Sequence, residues 1–195
     1  MIDILEKSKQ EKKFIGIWLY NDDDGFWSGI VKDYTDDFVI LQHYTKYAKP
    51  DGLLIEKINN IESIDFDDDY SKAMEYLIEY AEVLDIETEI EVKIEHPETW
   101  QKDILDDQIG KKDRIVRVQI NTDNYYNGFV EWCDDDTLIM ALIGKEGQDQ
   151  GKSVYKIEDI NSIRVNDLEN RKRLLLYNWR HSDGKNTELA DFIAR

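Results

Sequence analysis

The chain has 195 residues, of which 41% are hydrophobic and 11% aromatic, and its formal net charge is −18. This composition supports a buried core and excludes an intrinsically disordered chain. The acidity argues against a general nucleic-acid binder, because such proteins gain affinity when Lys and Arg displace counterions from phosphates.

The negative charge is concentrated in the first half of the chain. Through residue 99 there are about 10 basic and about 25 acidic side chains, whereas the remainder has about 15 basic and about 18 acidic side chains. The second half is therefore expected to tolerate an acidic partner better than the first.

Three further features predict a cytoplasmic protein that does not contact a membrane. Cys133 is the single cysteine, so an intramolecular disulfide is impossible. The first residues, MIDILEKSKQEKK, have no apolar region typical of a signal peptide. No stretch approaches the roughly 20 apolar residues that span a bilayer.

The first half predicts a helix followed by five short antiparallel strands. The helix covers residues 2–12, where apolar side chains recur about one helical turn apart. The strands, separated by turn-forming residues, are 14–20, 26–34, 38–44, 53–57 and 61–65. Gly29 lies inside the second strand, where glycine indicates a bend. We expect the strands to close into a small barrel, since closure removes sheet edges.

A trailing helix and a connector follow the predicted barrel. Asp67 to Asp69 can cap this helix. Its apolar positions at helical spacing are Tyr70, Met74, Leu77, Ile78 and Ala81. Residues 85–99 form a connector, in which the alternation over Ile86–Ile94 favours extended structure.

The same pattern occurs twice. Residues 26–64 align with residues 125–163 at an offset of 99, and about 12 of the 39 positions are identical. The strands of the second copy are predicted near 114–121, 125–133, 137–143, 152–156 and 160–165. The sequence therefore predicts a mainly β protein with flanking helices, built from tandem units at 1–84 and 100–195.

The segment Gly29–Leu41 resembles the first motif of the Sm-like family of small β-barrels. Val154-Tyr155-Lys156 with Ile160 and Ile163 resembles the second motif. The resemblance implies two tandem Sm-like/SH3-like five-stranded barrels, each preceded and followed by a helix, and assembly through the fourth and fifth strands.

The motifs of the family that bind RNA are not carried over to this chain. Ile157 follows Tyr155-Lys156 where the bacterial branch has a histidine. Neither unit has the Arg-Gly pair of the eukaryotic and archaeal branch.

Aromatic and histidine side chains of the first unit form a candidate partner-binding surface, since such residues are common at contact sites. The candidates are Trp18, Trp27, His43, Tyr44 and Tyr47. The alternative is a tyrosine-rich barrel rim that packs against the following helix.

The second unit contains the only concentrated basic stretch, with Arg171, Lys172, Arg173 and Arg180. These side chains can contact nucleic acid. Alternatively, they pair with acidic residues or stabilise a helix C-terminus.

Catalytic, metal and cofactor sites are not predicted. The acidic runs at 22–24, 65–69 and 134–136 lack the spacing of a calcium loop and are interpreted as solvated turns and helix caps. Cys133 aligns with Tyr34, which favours a buried strand position over a nucleophile.

Three classes of function remain open at this point. The first is a non-enzymatic binding or assembly module that acts through protein–protein contacts, including an acidic inhibitor or immunity-type protein that masks a basic partner. The second is an RNA-associated Sm-like protein. The third is an enzyme of unrecognised type.

Overall fold

The computed structural model describes residues 1–20, 26–86, 90–122 and 124–182. The chain divides into two units, Met1–Asp85 and Ile86–Arg195. Residues 90–96 of the predicted connector form neither helix nor strand. The acidic run at 22–24 lies outside the described residues.

The first unit is a five-stranded antiparallel sheet with a helix on either side of it in sequence. Its elements are α1 (Ile2–Glu11), β1 (Ile15–Leu19), β2 (Phe26–Tyr34), β3 (Phe38–Tyr44), β4 (Pro50–Lys57), β5 (Ile61–Phe66) and α2 (Asp69–Glu79). The strand order is β4-β3-β2-β1-β5. The second and third strands have the limits predicted from the sequence, whereas β4 begins three residues earlier than predicted.

The second unit repeats this arrangement. Its elements are α3 (Trp100–Asp106), β6 (Val116–Ile120), β7 (Asn124–Cys133), β8 (Thr137–Ile143), β9 (Asp149–Lys156), β10 (Ile160–Val165) and α4 (Leu168–His181). The strand order β10-β6-β7-β8-β9 is that of the first sheet. The mainly β class with flanking helices is confirmed.

Each sheet is curled but open. In the first sheet β4 and β5 are the two edge strands, yet β4 ends at Lys57 and β5 begins at Ile61. Four strand spacings in a flat sheet would separate these edges by about 19 Å, whereas four residues reach at most about 14 Å. The sheet must therefore curl to bring its edges together at this corner.

The predicted closure into a barrel is not found. Among the described residues, β4 pairs with β3 and β5 pairs with β1, with no ladder between β4 and β5. The 3-10 turn Ile58–Asn60 carries the chain from the β4 edge to the β5 edge, where β5 pairs with β1. The free sides of β4 and β5 therefore stay unpaired within the described part of the chain.

Two layers of side chains cover the first sheet. The inner face packs on α1 through a cluster that includes Leu5, Ile15, Ile17 and Leu41. The outer face packs on α2: the Phe14 amide donates to Glu75 Oε1 at 3.0 Å, and the Phe14 and Tyr70 rings lie 6.0 Å apart.

The second unit has the same two layers. Leu105 of α3 packs with Val116 and Val118 on the inner face. On the other face, Leu174 of α4 packs with Ile115 and Phe129.

The two central glycines have nearly identical backbone surroundings. A Cβ at Gly29 would lie 1.9 Å from the Gln42 carbonyl oxygen, and a Cβ at Gly128 would lie 2.0 Å from that of Ala141. Two residues beyond each glycine the pairing with the next strand shifts, marking a β-bulge in both units. Close backbone approach and a bulge together bend the second strand of each sheet.

The first strands are related by a different offset. Ile15 pairs with Gly29 in the first unit, and Val116 pairs with Gly128 in the second. The offset is therefore 101 in β1 and β6 but 99 from the second strand onward. Gly16 of β1 consequently corresponds to Arg117 of β6, and both face the last strand of their sheets, at Asp65 and Arg164.

Candidate functional site

The predicted partner-binding residues do not form one surface, because they lie on both faces of the first sheet. Trp27 shares the inner face with Ile17, its neighbour on β1. The Trp27 and His43 rings meet edge to face at 5.3 Å, and His43 Nδ1 lies 2.8 Å from the Ser28 carbonyl oxygen. These two residues form a rim at one end of the inner face.

Trp18 and Tyr44 lie on the outer face instead. The Tyr44 ring is 6.3 Å from Phe14, which also contacts Tyr70 of α2. Tyr44 is therefore part of the packing between the sheet and α2. Tyr47 is half-buried in the turn after β3, and Lys46 Nζ lies 4.9 Å from its ring centre.

An aromatic–carboxylate cluster, which consists of Trp18, Phe26, Tyr70 and Asp65, lies at the β1–β5 side of the outer face. The Trp18 indole nitrogen donates to Asp65 Oδ2 at 2.7 Å. The Phe26 ring lies 4.7 Å from the Trp18 ring and 6.3 Å from Tyr70. Gly16 makes room for this ring, because a Cβ there would lie 2.5 Å from it.

An exposed apolar patch lies on the outer face at β3 and β4, and consists of Phe38, Ile40, Leu53 and Ile55. Ile40 pairs directly with Ile55, and Leu53 pairs with Gln42 two residues along. Leu53 is 59% exposed and Ile55 is 63% exposed. This patch was not predicted from the sequence, although the turn residues that flank the Leu53-Leu54-Ile55 run could have indicated an edge strand.

Charged side chains border the apolar patch, and one of them is the exposed Lys57, which pairs with Phe38. Asp36 and Asp37 are exposed immediately before Phe38, and Asp51 is exposed two residues before Leu53. Apolar side chains ringed by charge are typical of protein-interaction surfaces.

The basic stretch of the second unit is not an exposed patch. Lys172 and Arg173 are 5% and 8% exposed on α4. Arg173 donates to the Ile143 carbonyl oxygen at 3.0 Å and lies 3.7 Å from Glu169 in its own helix. Burial lowers the pKa of the Arg173 guanidinium, and Glu169 opposes this effect.

The other two basic residues of that stretch also contact backbone carbonyls. Arg171 donates to Asn166 at 3.0 Å, and Arg180 donates to Glu146 from the last turn of α4. The stretch thus holds α4 to its own unit.

The described acidic runs shape turns and helix ends. Asp68 caps α2 by accepting from the Ser71 amide at 2.6 Å, as the sequence predicts. Asp134 Oδ1 accepts from the amides of Asp136 and Thr137. Within the described residues, no group of three or more His, Cys, Asp or Glu side chains is placed to hold a metal ion.

Cys133 and the histidines have separate surroundings. Cys133 is buried at the end of β7, and burial raises the pKa of its thiol to about 11. His181 contacts Asp149 at 2.9 Å, whereas His96 lies 3.9 Å from Asp103. Each histidine therefore contacts a different part of the chain.

No helix among the described residues is long and apolar enough to cross a membrane. No family model matches the chain, and neither a curated protein nor a solved structure matches it.

Proposed function

We propose that the chain is a non-enzymatic binding module whose first unit docks a basic protein partner. The observation that carries this proposal is the apolar patch on the outer face, in which Phe38, Leu53 and Ile55 are exposed and which has Asp36, Asp37 and Asp51 beside it. A partner with apolar side chains next to Lys and Arg fits such a surface.

Burial of the apolar patch supplies part of the energy of binding. Complete burial of an exposed Leu or Ile side chain stabilises a complex by about 1.5–3 kcal/mol. Leu53 and Ile55 each have more than half of their surface available for burial. The excess of acidic side chains in the first half of the chain accelerates encounter with a basic protein and disfavours acidic ones.

Charge also supports a basic partner over a second copy of the chain. Two copies, each with a net charge of −18, repel one another. The burial of Lys172 and Arg173 removes cations that RNA phosphates would need. An acidic inhibitor of a basic protein belongs to the proposed class.

The Sm-like architecture is a second, structural part of the proposal. It is supported by a leading helix, a bent second strand and a curled five-stranded sheet in each unit. The open edges of β4 and β5 are the positions at which the resemblance places assembly contacts.

Affinity capture from the native host lysate tests the proposed function. The immobilised full chain is incubated at low and at high salt, and the eluate is analysed by mass spectrometry and RNA sequencing. We expect a basic protein to be retained at low salt and to bind more weakly at high salt.

Matched variants locate the binding surface. Ile55→Lys places a cation in the patch of the first unit, and we expect at least about a tenfold loss of the captured protein's affinity. Val154→Lys is the control, because Val154 is 66% exposed at the corresponding position of β9. Capture of RNA alone, of no protein, or equal losses in both variants would contradict the proposal.

A further inference from the structure

The second unit contains an arginine beside an aromatic ring where the first unit contains a glycine. Arg117 Cζ lies 5.9 Å from the Tyr125 ring centre, and Arg117 Nε donates to Asn127 Oδ1 at 2.9 Å. Its guanidinium also lies 3.6 Å from Asp167, the residue that caps α4. The outer face of the second sheet thus binds its own guanidinium.

The first unit retains an aromatic ring and a helix-capping aspartate near this position but has no arginine, and Ser28 replaces Asn127. Gly16 corresponds to Arg117, Phe26 to Tyr125, and the helix cap Asp68 to Asp167. Trp18 adds a second ring, which is 40% exposed.

The charge of the facing strand is reversed between the two units. Opposite Arg117 the second unit has Arg164, whereas opposite Gly16 the first unit has Asp65. Among the described residues, the Asp65 side chain is hydrogen bonded to Trp18 and to no cation. The first unit therefore presents aromatic rings and a carboxylate at the position where its duplicate holds a cation.

We propose that the aromatic–carboxylate cluster of Trp18, Phe26, Tyr70 and Asp65 binds an arginine side chain of a protein partner. The guanidinium lies against the Trp18 and Phe26 rings in a cation–π contact, the class of contact that Arg117 makes with Tyr125. Its N–H groups donate to Asp65. This inference rests on the proposed function, because the arginine belongs to the basic partner.

Arginine fits this cluster better than lysine. A planar guanidinium stacks on a ring while its edge donates to a carboxylate in two parallel hydrogen bonds. An ammonium group is more strongly hydrated and lacks this planar edge. The carboxylate and the rings are adjacent here, since Trp18 itself donates to Asp65.

The test uses the full chain and a small probe, so that it does not depend on identifying the partner. N-acetyl-arginine amide is titrated at low salt while the indole N–H signal of Trp18 and the backbone amides of Gly16 and Asp65 are followed by NMR. The neutral isostere N-acetyl-citrulline amide is titrated in parallel. We expect a saturable response to the arginine probe that is at least fivefold weaker with citrulline.

Two variants separate recognition from general surface effects. Asp65→Asn keeps an oxygen that accepts from Trp18 but removes the charge, and we expect at least a fivefold loss of probe affinity. Trp18→Leu removes the exposed ring but keeps the charge of Asp65, and we expect at least a fivefold loss of probe affinity at the Asp65 amide. The amide of Tyr125 serves as the internal reference, because its unit already holds an arginine.

The outcomes distinguish this inference from the proposed function. An equal response to the arginine and citrulline probes, unchanged affinity in Asp65→Asn, or an equal response at Tyr125 overturns the arginine site. If capture of a basic protein persists in that case, the proposed function stands without it. Saturable binding of the arginine probe by the wild-type chain with loss in Asp65→Asn supports the site.

Discussion

Replacing Gly29 with alanine is predicted to destabilise the first unit strongly. The added Cβ would lie 1.9 Å from the Gln42 carbonyl oxygen, whereas carbon–oxygen contacts between strands need about 3.3 Å. Strands β2 and β3 must therefore separate locally by about 1.4 Å. A ladder hydrogen bond of about 2.9 Å would lengthen to about 4.3 Å, which breaks it. The loss of about two hydrogen bonds, with the accompanying distortion, should lower the free energy of unfolding by about 2–4 kcal/mol.

The measurement is native-state hydrogen exchange, followed by mass spectrometry for peptides of each unit. We expect faster exchange in β2 and β3 for Gly29→Ala. For Gly128→Ala we expect a loss of stability of similar size in the second unit. Gly52→Ala is the control, because Gly52 has a φ of +79° but no atom within 4 Å of an added Cβ, so backbone strain alone contributes about 1–2 kcal/mol. If Gly29→Ala lost no more stability than Gly52→Ala, the steric argument would be refuted.

Three other predictions concern a helix cap and two buried groups. Asp68→Ala removes the cap on the Ser71 amide and should lower the free energy of unfolding by about 1 kcal/mol in urea titrations, whereas Asp68→Asn, which also caps, should restore most of it. The Cys133 thiol, 8% exposed and with a pKa of about 11, should react with a disulfide reagent at least about tenfold more slowly in the native chain than in denaturant; equal rates would contradict its burial. Burial, with Tyr80 and Glu79 nearby, raises the pKa of Tyr76 from 10.0 to about 12. The folded state therefore keeps this phenol neutral where the unfolded state ionises, so its contribution to stability is complete below pH 10 and is lost as the pH rises through about 12. Urea midpoints above pH 10 should consequently fall less in Tyr76→Phe than in the wild type.

The strands could be predicted from sequence because local signals and the duplication agreed. Gly29 and Gly128 mark the bend of the second strand in both units, and turn residues bound the strands on either side. The open sheet could not be predicted in this way. Closure depends on whether β4 and β5 pair with each other, and the residues of these two strands carry no local signal for how far the sheet curls.

The candidate surface was only partly predictable for two physical reasons. The charge run Arg171-Lys172-Arg173 suggests exposure, but the aliphatic stems of such side chains can be buried when their charged ends find partners, as Arg173 does with Glu169. The relation between Gly16 and Arg117 was hidden because the offset is 101 in the first strands but 99 from the second strand onward. A sequence alignment at one offset pairs Arg117 with Trp18 instead.

The contact between each central glycine and the neighbouring carbonyl oxygen has a consequence for comparing this chain with future sequences. No residue with a side chain fits at Gly29 or Gly128 without moving a strand. Among folded variants selected after random mutagenesis, both positions should therefore remain glycine while much of the surface varies. Two invariant glycines 99 positions apart would then fix the alignment of other duplicated chains with this one, even where most other positions have diverged.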